Sequence, residues 1–519
     1  MSKPAQLLYH AAQVRELDRC AIEDHAIPGI VLMKQAGRVA FEALLERWPQ
    51  ADQITVFCGA GNNGGDGYII AALAQQRGIQ TCLVQLASAE KLQGDARTAW
   101  QFACDAGAPM FSFAEFLAQR DNEAANVLTS GIIVDALFGI GLARAVEGDY
   151  RQAIEMINSS GLPVLAVDVP SGLHSDTGVV MGVAVEAALT VSFIGRKVGL
   201  YTGQGLALAG EKVFNDLDVP DEVYRDEVPV AEVLSLEHLL KRVAPRARDA
   251  HKGVFGHVLI VGGDTGFGGA ALMAAEAAAR TGAGLVSVAT RPEHVPAMLA
   301  RCPEIMVRGV PSGQELEPLL KAPSVIVLGP GLGRSPWSEQ MLQQVLMANK
   351  ALVIDADALN LLSEGRIGRI EQSTREPWTA QPHVLTPHPG EAARLLGVSN
   401  ADIQLDRLSA CRQLQAKYQG TVLLKGAGTL VAGQDEAGLL KICPYGNPGM
   451  ATGGMGDVLS GVIGALMAQG FTSDFATELG VCLHSKAADI AVGQAGERGL
   501  LATDLLPLIR ALLNRVGDV

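Results

Sequence analysis

Residues 53–78 read QITVFCGAGNNGGDGYIIAALAQQRG: an apolar run, a turn carrying five glycines, and an alanine-rich helical pattern. Gly59-x-Gly61-x-x-Gly64 has the spacing that lets a backbone approach a pyrophosphate and aims amide N–H groups from a helix start, where the helix dipole favours an anion. A redox dinucleotide domain also places an Asp or Glu at the end of its second strand, but here that strand, TCLVQLAS, ends in Gln85, Leu86 and Ala87. The turn instead holds Asn62, Asn63 and Asp66, side-chain ligands suited to an ion or a hydroxyl. Alone, it reads equally as a tight strand-to-helix turn with Asp66 as N-cap.

Two more loops share this character. GIIVDALFGIGLAR ends a strand at Asp135 and continues into Gly139-Ile140-Gly141, and LPVLAVDVPSGLHSDTG ends another at Asp168 before Pro170-Ser171-Gly172. In open parallel sheets ligands bind beyond the carboxyl ends of strands, so three polar, glycine-bearing loops at one edge predict one pocket. The second half repeats the theme with different residues. NPGMATGGMGD, residues 447–457, precedes the helical run VLSGVIGALMAQG, so several amides converge at a helix start with Asp457 in its first turn. Lys425-Gly426-Ala427-Gly428-Thr429 follows the strand TVLL and offers an ammonium, a bare backbone and a hydroxyl to a phosphate; the bland alternative is a hairpin turn with a solvent-facing lysine. HVLTPHPGE places His388 and Glu391 after a further strand, His388 also fitting a capped loop histidine, and GPGLGR supplies Gly329, Gly331 and Gly333 after another.

These loops need a scaffold, and the hydropathy pattern provides one. Residues 9–48 have helical spacing broken near Ile27-Pro28-Gly29. Beyond them, ITVFC, TCLVQL, GIIVDALF, LPVLAVDV and LTVSFI alternate with helical stretches, the βαβ grammar of a mostly parallel sheet covered on both faces. Residues 216–252 are charge-dense and proline-bearing and read as a connection. A second series then runs through VFGHVLIVGG, GLVSVAT, SVIVLGPG, ALVIDADAL, HVLTPHPGE and TVLLKGAGTLVA. The absence of short tandem repeats predicts two different α/β domains, 1–225 and 226–519. A net charge of −14 without a basic run excludes a nucleic-acid partner, and no apolar run reaches bilayer length. Eight scattered cysteines without a CxxC pair suggest neither zinc nor disulfides, so a cytoplasmic protein is expected.

GAGNNGGDG, VDALFGIGL and VDVPSGL, in this order, resemble the NAD(P)H-hydrate epimerase domain over nearly all of residues 9–220. The resemblance implies a Rossmann-like αβα domain whose dinucleotide is substrate, held by Asn62, Asn63, Gly64, Gly65 and Asp66 and by Gly139, Ile140, Gly141, Leu142, Ala143, Arg144 and Ala145. It further implies a potassium site at Asn63, Asp135 and Ser171, and catalysis by Asp168 beside the nicotinamide ring. One departure is Met33-Lys34-Gln35-Ala36-Gly37, where the family often has Glu-Asn before Ala-Gly; no role is carried onto that helix.

The glycine-glycine-x-glycine-Asp helix start and the nucleotide loop resemble the ribokinase-like αβα fold. With TPHPGE, KGAGT and VGGDTGFGGAA they narrow to a resemblance, over about residues 230–515, to the ADP-dependent NAD(P)H-hydrate dehydratase. That resemblance implies Ala270, Gly333, His388 and Asp457 around the hydrate, Asp457 as catalytic base, and Lys425, Gly426, Ala427, Gly428, Thr429 and Gly456 around the nucleotide, with Mg²⁺ on its phosphates and ADP as co-substrate. The expected partners are small molecules, the hydrates of NADH and NADPH and ADP, within a homo-oligomer and without nucleic acid or membrane. Two rivals remain at this stage: a vitamin or sugar kinase fused to a nucleotide sensor, and a non-catalytic nucleotide-binding protein.

Overall fold

The computed structural model describes residues 6–120, 128, 130–366, 378–434 and 438–515. Its contacts divide the chain into two compact units, Met1–Glu232 and Val233–Val519.

The first unit is built on a parallel sheet in the spatial order Met110–Ser112, Gln80–Gln85, Gln53–Cys58, Ile132–Ala136, Val164–Val167, Leu189–Phe193, Glu211–Asn215. Its central strands are buried along their whole length because both faces are covered. Helices Gly29–Arg47, Asn62–Gln76 and Gly94–Asp105 contribute to the core on one side, and Phe113–Arg120 and Gly148–Ser159 to a second on the other. Strand order reverses between Gln53–Cys58 and Ile132–Ala136, so the loops leaving these strands part and open a crevice. The glycine turn and the Asp135 loop are those two loops. The edge strands Met110–Ser112 and Glu211–Asn215 gave no sequence signal, the former being too short and the latter half-exposed and polar.

Inside the glycine turn the residues divide their work. The helix begins at Asn62 with Gly61 as N-cap, so Asp66 lies in its second turn rather than at the cap. A Cβ at Gly64 would fall 2.2 Å from the Gly59 carbonyl oxygen, and one at Gly67 would fall 2.6 Å from the Ala136 Cβ and 2.7 Å from the Cys58 Sγ. These glycines let the helix start lie directly on the strand ends.

The second unit has a sheet ordered Met306–Gly309, Leu285–Thr290, His257–Val261, Val325–Leu328, Ala351–Ile354, His383–Leu385, Thr421–Leu424, Thr429–Ala432, Leu440–Cys443. The first seven strands are parallel, and the last two add on antiparallel. Its order reverses between His257–Val261 and Val325–Leu328, which opens a second crevice between the loops at Gly262–Gly268 and Gly329–Gly333. Helices Gly268–Arg280, Met455–Ala468, Ser473–Ala495 and Leu505–Leu513 supply much of the main core. Among the described residues no helix is long and apolar enough to cross a membrane.

Two helices of this core touch backbone to backbone. A Cβ at Gly461 would fall 2.1 Å from the Ala274 carbonyl oxygen, whereas one at Gly493, also helical, would meet nothing within 4 Å. Gly461→Ala is therefore expected to destabilise the second unit by about 1–3 kcal/mol through overpacking. Gly493→Ala is expected to stabilise it by up to about 1 kcal/mol, because alanine restricts the unfolded chain and favours helix. Urea unfolding of the two variants checks the opposite signs; equal shifts would show that the helix pair has room to spare.

Candidate active sites

In the first unit, Asp135 ends the strand Ile132–Ala136 and is completely buried. Its Oδ1 accepts from the Ser171 Oγ at 2.6 Å and the Leu137 N–H at 3.2 Å, and its Oδ2 accepts from the Ser171 N–H at 2.7 Å. Burial nevertheless pushes the carboxyl up to about 6, since these donors do not replace the water it has lost. No Lys or Arg pairs with it among the described residues. The Phe138 N–H donates to the Ser171 Oγ at 2.8 Å, and a Cβ at Gly139 would sit 3.3 Å from the Asn63 Oδ1. Asn63 is 9% exposed and its Nδ2 has no hydrogen-bond partner. Asn63, Asp135, Gly139 and Ser171, predicted from three separate loops, thus meet in one place.

Asp168 follows the strand Val164–Val167 with φ of 66°, in the left-handed region where non-glycine residues are uncommon. Its Oδ1 forms an ion pair with the Lys197 ammonium and accepts from the Ser192 Oγ at 3.3 Å. Lys197 is 1% exposed and also donates to the Phe193 carbonyl at 2.8 Å. It is positioned by Ile194, whose φ of 60° is strained for a β-branched residue and turns the chain directly after Leu189–Phe193. Two more carboxyls feel this pair. Burial pushes Asp18 up to about 6, Lys197 opposing and Asp168 reinforcing. Burial, then Asp168 and Asp18, raises Asp66 far above the usual carboxylate range. The pocket therefore holds a carboxylate paired with an ammonium beside an acid whose proton affinity is raised, the separation of roles that acid–base chemistry needs.

Sequence reasoning missed Lys197 and Asp18. Lys197 lies in IGRKVGL, where a basic pair reads as surface, and Asp18 lies at a polar position of the amphipathic helix Ala11–Arg19. The remaining predicted residues line the edges of this region. Ile140 accepts from Arg15 at 2.9 Å through its carbonyl, while Gly141, Ala143, Arg144 and Ala145 are exposed and Leu142 half-exposed. Gln85 donates to the Tyr68 hydroxyl at 3.2 Å, and Gln35 to Asp218 at 2.7 Å.

The second unit assembles its site around a lysine–aspartate pair, the aspartate buried and the lysine half-buried. Asp355, 1% exposed, ends the strand Ala351–Ile354; its Oδ1 accepts from the Lys425 Nζ at 2.8 Å and its Oδ2 from the Ser460 Oγ at 2.6 Å. Burial works against its charge, but Lys425 and the hydroxyl outweigh it and hold the carboxyl below its ordinary value. Burial likewise opposes the Lys425 charge, and Asp355 and Glu391 outweigh it in the other direction. The KGAGT segment is indeed a hairpin turn, with Leu424 paired to Leu430, yet its lysine turns inward. Arg407, completely buried behind the turn, donates to the Leu424, Lys425 and Gly428 carbonyls at 3.4–3.5 Å, and the Thr429 Oγ1 closes the turn onto the Gly426 carbonyl at 2.9 Å.

Gly454, with φ of 91°, caps the helix Met455–Ala468, and Asp457 stands in its first turn. A Cβ at Gly456 would lie 3.1 Å from the Lys425 Nζ, so the glycine segment and the lysine turn face each other. Burial foremost, then Asp355 and Asp357 against the opposition of Lys425, pushes Asp457 up to about 7. Asp357 also accepts from the Gly333 N–H at 2.9 Å, and Gly333, with φ of 70°, abuts Asp264, where a Cβ would come within 3.0 Å of Oδ2. Asp264 is held by Arg291 at 2.7 Å and Ser335 at 2.6 Å. Ala270 lies against Gly331. On the other flank His388 caps the helix Pro389–Leu396, its Nδ1 accepting from the Gly390 and Glu391 N–H groups, which leaves Nε2–H facing the Glu391 Oε1 at 3.3 Å. Glu391 approaches Lys425 at 4.0 Å, and burial pushes its carboxyl up. Asp355 and Asp357 were assigned no role from sequence, although ALVIDADAL shows the same aspartate-at-strand-end signal as Asp135 and Asp168.

Comparison with known proteins was made against this geometry. Residues 29–199 match the family described as YjeF-related protein N-terminus, and residues 258–510 the family described as NAD(P)H-hydrate dehydratase. The bifunctional NAD(P)H-hydrate repair enzyme Nnr of Coxiella burnetii is 48% identical over 509 residues, covering 98% of this chain and 99% of that protein. The enzyme of the same name from Escherichia coli is 39% identical over 510 residues, covering 98% and 94%. Among solved structures, an ADP/ATP-dependent NAD(P)H-hydrate dehydratase from Bacillus subtilis, co-crystallised with ATP/Mg²⁺, is 27% identical with a TM-score of 0.47, covering 55% of this chain and 98% of that one. Identity at this level over nearly the whole of both chains settles the family: the chain belongs to the bifunctional NAD(P)H-hydrate repair enzymes.

Proposed function

We propose that the chain restores hydrated NADH and NADPH, the first unit interconverting the R and S hydrates and the second dehydrating the S form at the expense of ADP. The observation that carries this reading is the presence, at each of two glycine-lined crevices, of a carboxylate paired with an inward-turned lysine, buried in the first and half-buried in the second, beside an acid whose proton affinity is raised. A kinase reading explains Asp457 but leaves Asp168 and Lys197 without work.

In the first unit, epimerisation at C6 requires the hydroxyl to leave and return on the other face, or the ring to open and close; either route moves protons. Asp168 is the base at hand, Asp66 the acid of raised proton affinity beside it, and Lys197 holds Asp168 in place. Asp168→Asn is expected to lower the interconversion rate by about 10²–10⁴-fold, the usual worth of a positioned acid–base group, and Lys197→Met to lower it comparably. Chromatographic separation of the two epimers follows this directly, and unimpaired interconversion in both variants would remove the pair from the mechanism.

Potassium suits the neighbouring cluster. Asn63, Asp135 and Ser171 present amide, carboxylate and hydroxyl oxygens, and no Lys or Arg pairs with the carboxylate among the described residues. Such a hard, oxygen-only set fits an alkali cation rather than a transition metal. When bound, the cation supplies charge that fixes the three loops. Exchanging K⁺ for tetramethylammonium is expected to lower both the epimerase rate and the thermal stability of the first unit, and Asp135→Asn to abolish that dependence; identical melting curves in the two salts would count against the site.

In the second unit, hydroxide is a poor leaving group and phosphate a good one. Asp457 takes the proton from the C6 hydroxyl, the hydroxyl oxygen attacks the β-phosphorus of ADP, and AMP departs. Loss of phosphate from C6 with a proton from C5 then regenerates the dihydronicotinamide, so ADP ends as AMP and phosphate. Lys425 and the amides around Gly456 face the phosphates. Mg²⁺, when bound, would supply charge neutralisation on the nucleotide phosphates; among the described residues no group of three or more His, Cys, Asp or Glu marks a protein-held metal site. Because Asp457 must be deprotonated to act and its carboxyl sits near 7, kcat/KM for dehydration is expected to fall as pH drops below about 7, tenfold per unit once the acid form dominates. Recovery of NADH absorbance from mixed hydrates with ADP measures this profile; a stable phosphorylated vitamin or sugar product instead would favour the kinase.

A further inference from the structure

The second unit contains a basic cavity away from its crevice. The cavity has a volume of about 1260 Å³, and Arg242, Arg246, Arg280, Arg301, Arg510 and Arg515 line it together with only two acids, Glu276 and Glu304. The chain as a whole carries a net charge of −14, so this concentration of positive charge is local, and its arginines come from separate stretches that form no basic run in the sequence. The cavity sits at the end of the sheet remote from Asp457. Phe255 and Gly284, which also line it, stand just before the strands His257–Val261 and Leu285–Thr290, whereas the crevice loops leave the carboxyl ends of the strands. Gln469 lines it too, directly after the helix Met455–Ala468 that carries Asp457 in its first turn. The 14 residues of that helix, at about 1.5 Å each, put about 20 Å between the two places.

Most of these guanidinium groups lack a counter-charge. Arg301 pairs with Glu276 at 3.3 Å, and none of the other five has a carboxylate within ion-pair distance among the described residues. Arg246 is held in place, its guanidinium 3.6 Å from the Phe255 ring centre while it donates to the Gly282 carbonyl at 2.5 Å and the Gln469 Oε1 at 2.7 Å. Arg242 lies 4.0 Å from the Phe475 ring centre. Arg280 and Arg510, both exposed, have no hydrogen-bond or ion-pair partner among the described residues. Helix ends account for some of them singly, since Arg280, Arg301 and Arg510 stand in the last turns of their helices, where the dipole favours a cation. Helix ends do not account for their meeting around one cavity. Like charges gathered with so few carboxylates between them repel, and an anion entering the cavity relieves that repulsion.

Guanidinium forks match phosphate oxygens two at a time, and the cavity is large enough for a ligand bigger than a single inorganic ion. We propose that it is a binding site for a small molecule bearing a chain of two or more phosphates, separate from the crevice at Asp457 and independent of the reaction performed there. Inorganic tripolyphosphate titrated into the full chain and followed by calorimetry is expected to bind with a Kd of about 0.1 mM or tighter. Replacing both Arg280→Ala and Arg510→Ala is expected to weaken that binding about tenfold or more while kcat and KM at the Asp457 crevice stay within about twofold. Lys425→Met, which removes the ammonium facing the glycine segment of the crevice, is expected to leave the tripolyphosphate affinity in place. Repeating the comparison with ATP separates two sources of the phosphates: a larger arginine-dependent loss for ATP assigns a nucleotide, and an equal loss assigns the phosphate chain alone. Circular dichroism confirms that the variants are folded; should the double variant not fold, each single substitution carries the test, with a loss of about threefold expected. No binding by the unsubstituted chain, unaltered affinity in the folded double variant, or loss of binding in Lys425→Met would overturn the proposal. So would a change of oligomeric mass on removing the two arginines, which would assign the cluster to a contact between subunits.

Discussion

A carboxylate buried at the end of a parallel strand keeps its charge only where a cation or a set of N–H and O–H donors meets it. Much of this protein's site architecture follows from satisfying that demand. Asp168 has Lys197, Asp355 has Lys425 and Ser460, and Asp135 has the Ser171 backbone and hydroxyl. Bringing those partners into reach strains the chain: Asp168 and Ile194 in the first unit, and Ala356 beside Asp355 in the second, all adopt positive φ. The strain sits where the fold must turn a side chain toward the crevice, and the packed strands behind hold it there.

The two units reach this arrangement through different sheets. Each places its crevice where strand order reverses, and in each the glycines allow backbone to approach backbone so that amides face open space. Within each crevice one carboxylate is paired with a lysine, while another has its proton affinity raised by burial and neighbouring charge. That division is an electrostatic property of position, since the side chains are chemically alike.

What the sequence disclosed follows the same physics. Aspartates at strand ends and glycines in loops are visible because their spacing is tied to a regular strand period, and this led to Asp135, Asp168 and Asp457 together with the glycine turns. Lys197 and Asp18 were illegible, since a lysine after a strand or an acid on an amphipathic helix has the same pattern whether that face meets solvent or a pocket; only the folded chain brings them together. Asp355 was legible and was passed over, for the apolar run around it reads first as core. The short edge strands were lost because three half-exposed residues carry too little periodicity to register.

The contact of Gly461 with Ala274 has a consequence for how this machinery could diversify. The helix that bears Asp457 is seated against its neighbour with no slack, so the acid has little freedom to migrate when a differently shaped substrate is offered. Novelty would have to be sculpted from the crevice loops, such as the one carrying the exposed Phe267, while the helix pair behind the acid stays frozen. In such a protein the rigid half of a pocket sets which reaction occurs, and the pliable half sets which molecules are admitted to it.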